Sequence, residues 1–472
     1  MSDVAISNAA SGIYATQAQI NTVSDNISNA STPGYSRKLQ SQVDNGQGGG
    51  TQVTDVSRAV DDALSAQARN QNSLVASLTA QSTALNNIEQ VSGDPTANTS
   101  LAAQFTQLKN SFTSLQASTS DSATQTAVIT SAQGVVSSLN TLWKTADQSS
   151  TQAQTNLVSN VAAANALVAQ VAQLNTQIVA YQSTNTDVTS LQDQRDTALK
   201  SLSGYLDVQV YNQPGGAVSI YTGGNQAILD GVQRTLTING TGPVQITDPS
   251  GVSVTASIKS GSIGGNLAVR DQIVPTFKSQ LDDVARAVTQ GFDAIAAATP
   301  AVAPAVTGIY DLFTDGGTTD LNLTTTPTEV NGYAGRITVN TSFVATPSLL
   351  TNTTTTGDTT SINAAIALLN STTTSFTTTT GLPASGSLAD VSSGIITSNS
   401  GQASATAANL TNQTSIQTSL DQKVASVSGV NTDQEFTHLT QLQQSYSANA
   451  KVLQTAKSLF NTLFAAVGGT VG

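Results

Sequence analysis

Along the first thirty positions, apolar residues recur at alternating intervals of three and four. Ile6, Ala9, Ile13, Thr16, Ile20, Val23 and Ile27 fall on one helical stripe, the spacing of a coiled-coil seam. The end of the chain repeats the pattern with Phe436, Leu439, Gln443, Tyr446, Ala450, Leu453, Lys457, Phe460, Phe464 and Val467. Thr432 and Glu435 have the spacing of a capping box at its start. One heptad alone fits ordinary packing inside a bundle. Two, at opposite ends of one chain, predict that the termini pair.

Between the ends, the same periodicity predicts helices over 58–90, 98–118, 121–183 and 187–203, then over 387–428 and 431–468. No proline interrupts Thr96 to Gln213. Within that run Leu157, Val161, Ala164, Val168, Val171 and Ile178 keep seam spacing, with Asn175 as the polar member. After Gly204 the period becomes two. YLDVQVYNQPGGAVSIYTGGNQAILDG alternates apolar and polar positions around PGG and TGG turns, and short strands are expected as far as Ile258. A helix near 265–298 follows, and GRITVNTSFV at 335–344 again looks like strand. The runs TNTTTTGDTT and STTTSFTTTT predict loops, because a branched Cβ is stiff in a helix and the runs have no apolar face. The expected fold is mainly α with a β insertion. N- and C-terminal helices pair into a coiled-coil rod, and an outer β domain comes from the middle of the chain.

Composition changes this picture in one respect. Of 472 residues only 10% are charged, against about 25% in ordinary domains, and Ser, Thr, Asn, Gln and Ala take their place. A small, polar, weakly charged surface suits packing against copies of itself. The net charge is −12, and the 17 basic residues are scattered, so no patch exists to displace phosphate counterions and no nucleic acid partner is expected. There is no cysteine, which removes disulfides and thiol chemistry. MSDVAISNAASG lacks the basic, apolar and small-residue order of a cleaved signal peptide. No stretch reaches the roughly 20 apolar residues of a bilayer span, so no membrane insertion is expected. The chain is expected to stay in the cytoplasm or to leave by a route that needs no cleaved signal.

Candidate chemistry is sparse. No Walker loop, GxGxxG or HExxH occurs, and His438 is the only histidine, so neither a histidine metal cluster nor a triad can form. It reads as a solvated helix residue beside Leu439. Asp193 and Asp196 flank Arg195 in LQDQRD and share a helical face, which points to an ion network rather than a cation site. Asp61 and Asp62, and Asp282 and Asp283, are adjacent and diverge on a helix. DLFTDGGTTD at 311–320 is oxygen-rich but lacks EF-hand spacing and its terminal glutamate. Asn-x-Ser/Thr triplets such as 29–31 are expected by chance at this serine and threonine content. No catalytic, cofactor-binding or metal-ligating residue is assigned, and the chain is not expected to be an enzyme.

The segment after the first heptad is NISNASTPGYSR, 26–37. Asn26, Asn29, Thr32, Pro33, Gly34 and Tyr35 resemble the N-terminal signature of bacterial flagellar axial proteins, the rod, hook and hook-associated family. Ser36 and Arg37 look like its hook-associated protein 1 branch. Near the other end Ser428, Gly429, Val430, Asn431, Glu435, Gln443, Tyr446, Ala448, Ala450 and Lys451 match the same branch. Gln434 departs, since an acidic residue is usual there. LQDQRD and GRITVN are similar to internal motifs of the branch. The local physics agrees: Pro33 keeps Thr32 extended and stops the helix, Gly34 permits a turn, and Asn29 can cap.

The resemblance implies an organisation in residue ranges. The N-terminal helix and extended loop of an inner tube domain take 1–57, and a long-helix rod takes 58–203. A β-rich outer domain takes 204–350, Thr-rich loops and return helices of the rod 351–430, and the C-terminal helix of the tube domain 431–472. The chain is short for the branch, which implies a reduced outer region. The implied role is structural: a protein at the extracellular hook–filament junction, secreted without a cleaved signal peptide through the flagellar type III apparatus. Implied partners are copies of itself in a ring or helical layer, the hook protein, a second hook-associated junction protein, and an export chaperone on the C-terminal helix. No cofactor is implied. Another axial protein of rod or hook type, or a secreted coiled-coil adhesin or effector, remains an alternative at this point. Five large aliphatics on the first stripe offset only part of the entropy of ordering that helix, so mobile termini are expected in the free protein.

Overall fold

The computed structural model describes residues 2–46, 49–93, 99–298, 309–315, 331–351 and 357–468. Its helices are α1 (Ser2–Ser28), α2 (Asp62–Val91), α3 (Leu101–Ala117), α4 (Ser122–Gln182), α5 (Thr189–Ser203), α6 (Gly261–Ala268), α7 (Val274–Ala298), α8 (Thr341–Ala345), α9 (Thr360–Asn370), α10 (Leu388–Ser428) and α11 (Thr432–Gly468). The strands are short and antiparallel. β1 (Lys38–Leu39) pairs with β4 (Ser57–Arg58), and β2 (Gln42–Asp44) with β3 (Thr51–Val53). Two three-stranded meanders follow: β5 (Val208–Asn212), β6 (Val218–Thr222) and β7 (Ala227–Leu229), then β8 (Thr235–Ile238), β9 (Val244–Thr247) and β10 (Ser253–Thr255). β11 (Phe313–Asp315) pairs with β12 (Ile337–Val339), and β13 (Thr374–Ser375) with β14 (Ser385–Gly386). The chain is mainly helical, with long helices at both ends and a β-containing middle.

The chain forms two compact units. One comprises Met1–Val75, Asn160–Gly261 and Gln413–Gly472; the other comprises Ala76–Ser159 and Ser262–Asn412. In the first unit, Val161, Ala164, Val168, Val171 and Ile178 of α4 are buried as their spacing predicts. Their neighbours, however, include strands. Asn175 accepts from Val218 N at 3.1 Å and donates to Val218 O at 2.8 Å. Asn165 does the same with Leu236, both bonds at 2.8 Å. A side-chain amide carries one acceptor and one donor group, as a peptide does, so it can pair with a stretch of strand that no neighbouring strand covers. Coiled-coil spacing reports a narrow apolar stripe; it does not say whether a helix or a sheet covers it. By length and composition α4 is also apolar enough to cross a membrane, contrary to the sequence expectation. Its apolar stripe is buried within the protein.

The core of the second unit is built from α3, the start of α4, α7, α9 and the start of α10. Phe292 packs 5.9 Å from Phe112 and 5.2 Å from Phe313. A π-helical turn, Val269–Ile273, joins α6 to α7. Pro275 follows it. A proline ring there would press on the carbonyl of Asp271 in a regular helix, and the wider turn relieves that contact. Asp282 of α7 is buried, and its carboxylate accepts from Gly332 N at 2.7 Å and Ala334 N at 2.8 Å. These bonds hold the chain before GRITVN against α7, and Asn340 caps α8 at Ser342 N. Of GRITVNTSFV, residues 337–339 are strand and 341–345 are helix.

In DLFTDGGTTD, Asp315 pairs with Arg336 at 2.7 Å, and residues 316–320 lie outside the described residues. Among the described residues no acidic or histidine cluster could hold a metal. The second threonine run is a short strand and turn rather than a plain loop, anchored by buried Phe376; most of the first lies outside the described residues.

Gly335 lies against Trp143, where an added Cβ would stand 2.5 Å from the indole. Gly335→Ala is therefore expected to destabilise the protein by about 1–3 kcal/mol through overpacking. Denaturant unfolding followed by fluorescence of Trp143, the single tryptophan, measures it. An unchanged midpoint would refute the tight contact.

Candidate functional site at the meeting of the two chain ends

α1 and α11 lie against each other and run antiparallel. Gly12 sits at Asn449, where an added Cβ would come 2.8 Å from the side-chain amide, and Asn26 bonds Glu435. The buried face of α1 is Ala9, Gly12, Ala15, Thr16, Gln19, Thr22, Val23 and Asn26. It is a stripe of small and polar residues. Ile6, Ile13, Ile20 and Ile27 of the predicted seam flank it and are only half-buried. On α11 the buried positions are Glu435, Leu442 and Ala456, with His438, Leu439, Asn449, Ala450 and Leu453 half-buried. Four of these, 435, 442, 449 and 456, repeat every seven residues, one position before the predicted 436, 443, 450 and 457.

Small side chains let the two backbones approach, so they select the contact face, and the larger apolar residues turn outward. Phe436, Tyr446, Phe460 and Phe464 are 54%, 37%, 45% and 73% exposed. The side chain of Val467 lies outside the described residues. In this register residue 459 stands level with residue 2, so Phe460, Leu463 and Phe464 run past the start of α1. The β2–β3 ribbon covers another face of α1. Gln42 donates to Gln19 at 2.7 Å, and Thr51 N to Ser11 Oγ at 3.2 Å.

The motif 26–37 folds as its residues predict. Asn29 donates back to Asp25 O at 3.0 Å and so closes the last turn of α1. Thr32–Tyr35 is a turn closed by Tyr35 N to Thr32 O at 3.2 Å, with Pro33 second and Gly34 third at φ +80°. That is a type II turn, which favours glycine at its third position. A Cβ on Gly34 would also collide with Thr197 of α5.

Beyond the turn, the motif enters a buried polar network. Asn26 is 1% exposed and fully used: it donates to Lys38 O at 2.9 Å and Glu435 Oε2 at 3.2 Å. It accepts from Tyr35 OH at 2.9 Å and Lys38 N at 2.8 Å. Arg37 Nε donates to Glu435 Oε1 at 2.7 Å, and Arg37 N to Ser428 O at 2.7 Å. Glu435 is thus no part of a capping box. The cap of α11 is Asn431, whose Oδ1 accepts from Asp433 N and Gln434 N, both at 3.1 Å. Gly429 and Val430 are half-buried in the link between α10 and α11.

The other end of the network reaches LQDQRD. Ser36 donates from its backbone to Asp193 Oδ2 at 3.3 Å and from its hydroxyl to Asp193 Oδ1. Arg58 bridges Asp193 at 2.9 Å and Asp196 at 2.8 Å. Arg195, between them in sequence, points elsewhere and donates to Gly216 O at 2.6 Å, holding the β5–β6 turn. Arg58 was not singled out from sequence. The only hint was a lone arginine beside the acidic pair Asp61 and Asp62, and nothing in one dimension links it to residue 193. Burial, and after it the charges of Asp25, Asp193, Glu435 and Asp187, push the Tyr35 hydroxyl well above the usual tyrosine range.

Two outcomes are expected. Glu435→Gln keeps the shape but loses the charge-assisted bond to Arg37, so stability should fall by about 1–3 kcal/mol in thermal unfolding. A raised folded pKa means that Tyr35 contributes stability that is intact below the ordinary tyrosine pKa of about 10 and is lost as pH rises past it. Tyr35→Phe should therefore flatten the alkaline decline in melting temperature. An equally steep decline in that variant would exclude Tyr35 as a contributor.

Three family models match the chain. The flagellar hook-associated protein FlgK helical domain matches residues 85–299, the flagella basal body rod protein 6–35, and the flagellar basal body rod FlgEFG protein C-terminal 421–465. The last two fall on the segments that the Asn26–Glu435–Arg37 network joins. Flagellar hook-associated protein 1 of Escherichia coli is 26% identical over 545 aligned residues, covering 97% of this chain and 98% of that protein. The protein of the same description from Salmonella typhimurium is 27% identical over 309 residues, 61% of this chain and 56% of that one. Among solved structures, the flagellar hook junction protein FlgK from Burkholderia pseudomallei aligns with a TM-score of 0.46 at 23% identity, over 53% of this chain and 47% of that one. The chain belongs to the flagellar hook-associated protein 1 family of axial proteins, structural components of the bacterial flagellum.

Proposed function

We propose that the protein joins the flagellar hook to the filament. It is exported unfolded, without cleavage, and assembles in a ring or single helical layer through coiled-coil contacts of its terminal helices. The observation that carries this reading is the apolar surface left outside the α1–α11 pair. Ile6, Ile13, Ile20 and Ile27 are half-buried, and Tyr14, Phe436, Leu459, Phe460, Leu463 and Phe464 are exposed. Exposed apolar strips of this extent mark association sites. The heptad spacing of the isoleucines supplies a seam for a neighbouring helix.

Within the monomer the contact face is small and polar, so burial there offsets little of the entropy of ordering both helices. Neighbouring subunits supply the rest. The hook protein and a second hook-associated junction protein are the partners on either side. Before export, a chaperone covers the C-terminal helix, where Leu459, Phe460, Leu463 and Phe464 form the apolar stripe it would bind. Ser36 and Arg37, which resemble this branch rather than rod or hook proteins, both enter the buried network, which favours the junction role over the other axial roles.

Deleting the gene is expected to leave complete hooks without filaments and to release flagellin into the medium, scored by electron microscopy and immunoblot. Filaments on the deletion strain would sink the junction role. In the free protein, amide exchange should be fast along α1 and α11 away from the Asn26–Glu435–Arg37 network, and it should slow on assembly. Strong protection of those segments in the monomer contradicts assembly-driven ordering.

A further inference from the structure

Beside the ion network lies a cavity of about 460 Å³, lined by Val60, Ala68 and Val424 and by the cations Arg58, Arg69 and Lys200. Arg58 is held by Asp193 and Asp196, and Lys200 by Asp421 at 2.9 Å. Arg69 is different. Among the described residues it has no hydrogen bond or ion pair, and its Nε is sealed off with no partner. The residue as a whole is half-buried and lines the cavity. Burial disfavours its charge, and its own chain offsets this only from a distance, through Asp196 and Asp62. A guanidinium in this setting is matched by a carboxylate.

Four carboxylates among the described residues are exposed and accept no bond from the chain: Asp25, Asp55, Glu89 and Asp433. Asp25, Glu89 and Asp433 lie on α1, α2 and α11. Asp55 stands on the loop between β3 and β4, between Thr54 and Val56. A carboxylate on a loop, followed by a valine, fits a cavity whose wall pairs one free guanidinium with valine and alanine. The cavity volume is within the ~300–1,000 Å³ of ordinary binding pockets, enough for that side chain and a neighbour.

We propose that Asp55 of one copy enters the cavity of the next copy and pairs with its Arg69. The contact joins two different patches, so repetition yields a ring or a helix rather than a closed pair. It rests on the self-assembly reading above and adds to it a residue pair away from the terminal helices.

The chain has no cysteine, so a double Asp55→Cys, Arg69→Cys variant has no background thiols. Hook–junction structures sheared from cells and treated with a short bis-maleimide should give a ladder of dimers and larger species for the double variant and none for either single variant. Absence of the ladder overturns the pairing if the double variant is present in those structures and both positions label with a monofunctional maleimide. If the wild-type protein is missing from those structures, the assembly reading fails first and the pairing with it. In a second arm, Arg69→Asp should reduce swimming and added Asp55→Arg should restore it. Normal swimming of Arg69→Asp, or no restoration in the exchanged variant, counts against the pair.

Discussion

The buried carboxylate of Glu435 fixes how the two ends of this chain meet. It is 1% exposed, in the first turn of a helix whose other positions are largely open to water. A charge removed from water is tolerated only where partners replace the solvent. Arg37 and Asn26 are those partners, and Asn26 in turn orients Tyr35 and Lys38. The N-terminal turn of α11 adds the favourable end of the helix dipole. A slip of α11 by one residue along α1 would bury the carboxylate without a partner. The polar contact therefore selects one register from several that the small apolar face would accept about equally.

This division of labour explains the placement of the large apolar residues. Gly12 lets α1 approach α11 at Asn449, and the buried residues beside it, Ala9, Ala15 and Thr16, are of a size that contributes little transfer free energy. Of the residues that contribute most, the isoleucines of α1 are half-buried beside the stripe, and Phe436, Leu459, Phe460, Leu463 and Phe464 of α11 are exposed. Had they formed the intramolecular seam, the pair would be stable alone and would offer a neighbour little. The same economy appears at Asn165 and Asn175, where side-chain amides attach strands to α4 and fix their height along it.

Periodicity made the helices legible, because a helix that buries one face must repeat near every 3.6 residues. Proline and glycine made the turn at Thr32–Tyr35 legible, because few residues fit its backbone. What periodicity could not supply was phase. Counting large apolar residues on α11 placed the seam on Phe436, Gln443, Ala450 and Lys457, while the fold uses the positions one before. The partner face is small and carries Asn26, so Glu435 is preferred there over phenylalanine. Thr432 and Glu435 had the spacing of a capping box, but Glu435 was claimed by residues 398 and 409 positions away. The stripe on α4 was found, and its cover was not, since a sheet and a helix can bury the same narrow band. Arg58 with Asp193 and Asp196 was invisible for a simpler reason: such a network has no period and no spacing, only proximity.

Charge is scarce in this chain, and its placement follows from that scarcity. Among the described residues, eight of the 17 lysines and arginines make ion pairs, at Arg37, Arg58, Lys200, Arg234, Arg270, Lys278, Arg286 and Arg336. Several lie between distant segments, where they fix register, rather than on open helix faces, where they would only keep the surface wet. Under the proposed self-assembly, a surface that lies against copies of itself gains from this arrangement. Each exposed charge covered by a neighbour must be desolvated or matched, and like charges meeting across a repeat repel at every copy. Serine, threonine, asparagine and glutamine keep the uncovered surface hydrated and can trade water for a neighbour at small cost. On that basis Arg69, a half-buried cation with no partner among the described residues, is the exception that the proposed repeating assembly would answer with a specific carboxylate.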